Sequence, residues 1–139
     1  MALFDWLRRK SNDERQKEFV EKIINKYIGS RANLFKDAQE LLLTTKFGLT
    51  EQEMSALILR GLIIRDFKGK WDKKNAELMK KTCFGKLSED ELRWILVYCD
   101  LHYINKNPET EALLLMELGG KQIGMPSPLG SISQEYIYH

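Results

Sequence analysis

Apolar residues recur along most of this chain at intervals of three and four, the mark of helices with one buried face. The clearest stripe is Phe19, Val20, Ile23, Ile24, Tyr27 and Ile28, which Gly29 closes. Upstream, residues 2–9 predict a short separate helix with Leu3, Phe4 and Leu7 on one face, packed against the domain's own core. Ser11 and Asn12 then offer a cap for the main stripe, with Asp13 and Glu14 in its first turn. A third helix is expected over about 32–46, with Leu34, Phe35, Ala38, Leu41, Leu42 and Thr45 inward and Gly48 as its stop. Thr50 with Glu53 forms a capping-box pattern ahead of a helix that is apolar nearly all round, and therefore central. Phe67 to Trp71 reads as a turn, and a helix over about 72–83 follows, stopped by Gly85. Ser88 and Glu91 repeat the capping box before a second central helix over about 89–105. Pro108 opens the last helix, expected to end at Gly119-Gly120.

The sum is an all-α fold: one bundle of six to seven helices over residues 1–120, with a non-helical tail over 121–139 rich in Gly and Pro. Two stretches look alike within it. Phe47-Gly-Leu-Thr-Glu-Gln-Glu-Met54 resembles Phe84-Gly-Lys-Leu-Ser-Glu-Asp-Glu-Leu92 with Lys86 inserted, and Leu49 lies 38 residues before Leu87. Ala38 and Ala76 keep the same interval. Units 32–66 and 72–105 thus read as two stacked helical hairpins of repeat size. Capping chemistry alone accounts for much of the likeness, so duplication and shared physics both remain open.

Composition narrows the class. A chain of 139 residues with 43% apolar and 30% charged residues is globular, and long enough to bury a core without staples. No apolar run is long enough to suggest a membrane span, and the start lacks the charge order of a secretory leader. The two cysteines, Cys83 and Cys99, read as buried thiols of a cytoplasmic protein. The net charge of +2 conceals a division: residues 1–86 hold 19 Lys and Arg against 12 Asp and Glu, and residues 87–139 hold 3 against 8. Such asymmetry either steers a charged partner or lets the two halves face each other.

Chemistry of the catalytic kind is scarce. With His102 and His139 the only histidines, nucleophile–base pairs are hard to assemble. No phosphate-cradling or dinucleotide glycine motif is present. Cys99 and His102 share a helix face but lack the further ligands of a metal site. No catalytic residue, cofactor or metal is therefore assigned. Acids at 51–53 and 89–91 sit in first turns, where the helix dipole favours them.

The segment most suited to a partner runs from Arg60 to Lys86. Arg60, Arg65, Lys68, Lys70, Lys73, Lys74, Lys80 and Lys81 crowd it, with Phe67 and Trp71 interleaved and only Asp66, Asp72 and Glu77 opposing. Cations contact phosphates and an aromatic ring can stack on a base, so nucleic acid is one candidate partner. Leu49-Thr-Glu-Gln-Glu-Met through Gly61-Leu62 resembles, over 14 residues, the opening helix of LuxR-type DNA-binding regulators. Ile63-Ile64-Arg65-Asp66 continues it in place of a recognition-helix pattern, and no function is carried across. In the tail, Tyr136, Ile137 and Tyr138 suit docking on the domain or on a partner. The function expected is that of a non-enzymatic helical adaptor or regulatory module working through protein–protein contact, with nucleic-acid binding through 60–86 as the alternative.

Overall fold

The computed structural model describes residues 2–122, with side chains described over 13–117. Six α-helices follow one another: α1 (Ala2–Tyr27), α2 (Arg31–Thr45), α3 (Glu51–Asp66), α4 (Lys73–Thr82), α5 (Glu89–Cys99) and α6 (Pro108–Gln122). A π-helical segment, Asp100–Ile104, continues α5. No strand occurs among the described residues. The fold is all-α, and no helix among these residues is long and apolar enough to cross a membrane.

Of the caps, Thr50 and Ser88 stand where the sequence predicts them, and Ser30 and Asp72 add two more. Ser30, Asp72 and Ser88 each accept the amide of the residue three positions on. Thr50 Oγ1 accepts from the Glu53 amide at 3.1 Å while Glu53 Oε1 accepts from the Thr50 amide at 2.9 Å, and Ser88 with Glu91 does the same. Each box satisfies amides that the first turn would leave without partners. Glu53 also takes Lys86 Nζ at 2.9 Å, so the lysine inserted in the second Phe-Gly stretch ties the α4–α5 turn to the start of α3.

Four boundaries differ from the sequence expectation. The separate helix 2–9 and the cap at Ser11-Asn12 do not exist: α1 runs unbroken through them. Serine and asparagine cost a helix interior only tenths of a kcal/mol, and no Gly or Pro lies in 2–27 to break it. The packing expected of residues 2–9 lies outside the described side chains. The left-handed residue that ends α2 is Lys46 (φ 56°), not Gly48. Helix α5 gives way to π geometry, with the Asn105 amide donating to the Asp100 carbonyl at 2.8 Å. Last, α6 passes through Gly119-Gly120 to Gln122, because glycine weakens a helix by about 1 kcal/mol without forbidding its dihedral angles. Residues 123–139, including Tyr136, Ile137 and Tyr138, lie outside the described residues.

Helix α3 is the axis of the molecule, packing on α1, α2, α4 and α5. Met54, Leu57, Ile58 and Leu62 are wholly buried, as are Leu92, Trp94, Ile95, Leu96 and Val97 of α5. The two helices pack tightly at Gly61, where a Cβ would lie 2.8 Å from Cys99 Sγ. A Cβ there would require Cys99 Sγ or the helices to shift, so glycine fits the crossing as it stands.

At 38-residue spacing, burial in the two hairpins matches at some positions and differs at others. Ala38 and Ala76, Met54 and Leu92, Leu57 and Ile95 are buried in both. The phenylalanines are not alike: Phe47 is 9% exposed and meets Trp94 edge-on, whereas Phe84 is 79% exposed.

Candidate interaction surface

The basic segment does not form one surface; the fold distributes it over four places. Arg65 is spent on structure. Its Nε lies 3.3 Å from Asp100 Oδ1 and its Nη1 donates to the Gly69 carbonyl at 2.8 Å. Asp100 is buried and also accepts from Asn105 Nδ2 at 2.8 Å. The cluster locks the α3–α4 turn to the π segment, and a buried carboxylate demands such partners. Trp71 is likewise taken up: it is 6% exposed, part of the core, and offers no ring to a base. Lys86 pairs with Glu53.

Arg60, half-buried, belongs to a different surface. With Arg15, Gln16, Phe19, Val20 and Ile63 it lines a groove between α1 and α3. The base of this helix pair is tied by Asp66, which accepts from the Tyr27 hydroxyl and from Lys26 Nζ. These bonds, the tyrosine's foremost, hold the Asp66 carboxyl below its usual range.

What remains is a set of six exposed lysines on α4 and the turn before it. Lys68 and Lys70 lie exposed in the α3–α4 turn, and Lys73, Lys74, Lys80 and Lys81 lie exposed on α4. At about 100° per residue, the four α4 lysines occupy an arc of about 120° turned away from Ala76 and Met79, which face the core. Among the described residues, none of these six lysines is in an ion pair. Asp72 caps α4 and Glu77 lies within the lysine arc, so the edge is basic but not uniformly so. Trp71, Asp72, Lys73, Ala76, Glu77, Lys80 and Glu89 line a shallow depression along it. Phe84, one turn beyond Lys80 and Lys81, extends the edge with a ring almost wholly in solvent. The sequence reading missed Phe84. The available signal was its place at a helix stop with Lys80, Lys81 and Lys86 around it.

Tyr98, Cys99 and Tyr103 are built into the core. Trp94, Tyr98 and His102 stack along α5 and the π segment with ring centroids 5.5 and 5.0 Å apart. His102 Nδ1 lies 2.8 Å from Glu111 Oε1, joining the π segment to α6, and the Tyr103 hydroxyl donates to Asp37 at 2.7 Å. Burial pushes both tyrosine hydroxyls far up. Cys99 points to the Ile58 carbonyl, and burial, followed by the charge of Asp100, pushes its thiol up as well. A thiol so held is a poor nucleophile. Cys99 and His102 therefore have separate partners, and among the described residues no group of three His, Cys, Asp or Glu is placed to hold a metal. In comparison with known proteins, the chain matches no family model, no curated protein and no solved structure.

Proposed function

We propose that the protein is a non-enzymatic helical adaptor that binds an acidic protein partner along α4 and the turn before it. The observation that carries this reading is the arc of exposed α4 lysines, none in an ion pair, ending at the solvent-exposed Phe84. A row of cations speeds encounter with an acidic surface, and one exposed ring supplies an anchor that charge alone lacks. The rest of the fold serves to present this edge. Helix α4 is held by the capped turn at Asp72 and by the Arg65–Asp100 cluster behind the preceding loop.

The test is capture of partners from native extract on the immobilised full chain, with and without nuclease. A partner retained after nuclease, and lost when Lys73→Glu and Lys80→Glu are combined, is the expected result. A second reading, nucleic-acid binding by the same edge, is favoured by the number of lysines left without counter-charges. It predicts capture abolished by nuclease, and affinity for mixed DNA or RNA that falls steeply as salt rises. Either of those outcomes without a nuclease-resistant partner overturns the first reading.

A further inference from the structure

The groove between α1 and α3 has an arrangement unlike that of the α4 edge. Its floor is apolar, made by Phe19, Val20 and Ile63. Phe67 extends that floor, stacked on Phe19 with centroids 5.8 Å apart yet 68% exposed. Its rim is cationic. Arg15 and Arg60 line it, and among the described residues neither is in an ion pair or a side-chain hydrogen bond. Lys17 borders the neighbouring depression on α1, beside Arg31. The acids of α1 oppose these charges only in part: Glu14 falls on the opposite side of the helix by register, Glu21 is held by Arg31 at 2.6 Å, Glu18 lies one turn from Arg15, and Asp13 lines the depression beside Lys17.

We infer that this groove is a second docking surface, taking an amphipathic helix of a partner protein with apolar residues on one face and acids along its flanks. Three features point to that occupant. Residues 15, 16, 19 and 20 of α1 and 60 and 63 of α3, with Phe67 just past its end, are spaced as two helical ridges, and the groove between such ridges accepts the ridge of a third helix. The apolar floor calls for side chains such as leucine, which a nucleic-acid backbone does not supply. The two guanidiniums call for carboxylates and provide fork geometry for them. This surface uses residues other than those of the α4 edge, which it adjoins at Phe67-Lys68, and stands or falls independently of it. With both, one chain would join two partners.

The test uses the full chain and a synthetic amphipathic peptide about five turns long, leucine on one face and glutamate on its flanks. A second peptide with lysine in place of glutamate is the control. Saturable binding of the acidic peptide is expected, with backbone amide shifts confined to Arg15–Val20 and Arg60–Phe67. Combining Arg15→Glu with Arg60→Glu should weaken it about tenfold or more, while Lys73→Glu with Lys80→Glu leaves it unchanged. The pair Arg15→Gln and Arg60→Gln serves the same purpose should the charge reversals disturb folding. Equal binding of the lysine peptide, shifts mapping to α4, or no saturable binding would overturn the inference. So would self-association of the chain that the same variants abolish, which would give the groove to a second copy.

Discussion

Replacing Gly61 with alanine adds one methyl group where α3 crosses α5. The new carbon would lie 2.8 Å from Cys99 Sγ, 3.4 Å from Cys99 Cβ and 3.9 Å from the Leu96 Cα. The sulfur is wholly buried and contacts the Ile58 carbonyl at 3.6 Å, so it moves only by giving up that contact or by pushing the helices apart. Overpacking of this kind costs about 1–3 kcal/mol. Alanine in a helix interior returns about 0.8–1.0 kcal/mol relative to glycine. The net is a destabilisation of about 1 kcal/mol, which is too small on its own to decide the argument. The decisive measurement is a double-mutant cycle with Cys99→Ala. Alone, Cys99→Ala leaves a small void and costs about 1 kcal/mol, the worth of one buried methylene-sized group. Together the changes compensate, because the methyl at 61 occupies space the sulfur vacates. Urea unfolding of the four proteins, with equal m-values, should give a favourable coupling of about 1–2 kcal/mol. Additivity within about 0.5 kcal/mol, or a Gly61→Ala protein more stable than its parent, would refute the claim that this crossing sets the identity of residue 61.

Asp100→Ala should cost about 3–5 kcal/mol in urea unfolding, because it leaves the largely buried Arg65 without its counter-charge; a cost below about 1 kcal/mol would show the cluster to be incidental. The Glu53 carboxyl sits below its ordinary 4.5, held first by the Thr50 amide and then by Lys86. A carboxyl lowered by folding contributes stability above its unfolded value and loses it as pH falls through the folded one. Glu53→Gln should therefore flatten the fall in melting temperature below pH 4.5, and an unchanged acid limb would count against the capping-box assignment. Phe47→Ala should cost about 3–5 kcal/mol and Phe84→Ala less than about 0.5 kcal/mol, by thermal or urea unfolding. Equal costs would contradict the opposite environments of the two rings.

Much of this protein was legible in its sequence because the relevant physics is local. Ser30, Thr50, Asp72 and Ser88 accept amides three residues away, and the apolar stripes of 19–28 and 89–99 repeat at helical period. Neither fact needs a distant neighbour, so helix type and most starts could be read directly. Helix ends at Ser11-Asn12 and Gly119-Gly120 were misjudged because residues of weak helix propensity tilt a balance without settling it. The basic run was visible too, but not its fate. Whether Arg65 greets a partner depends on Asp100, 35 residues away, and whether Trp71 is a platform or core depends on what α4 and α5 place over it. Only tertiary packing divided that run into a structural cluster, a tie from Lys86 to Glu53, a groove beside Phe19 and an exposed edge ending at Phe84. Charge and period are properties of the chain; burial and pairing are properties of what the chain brings together.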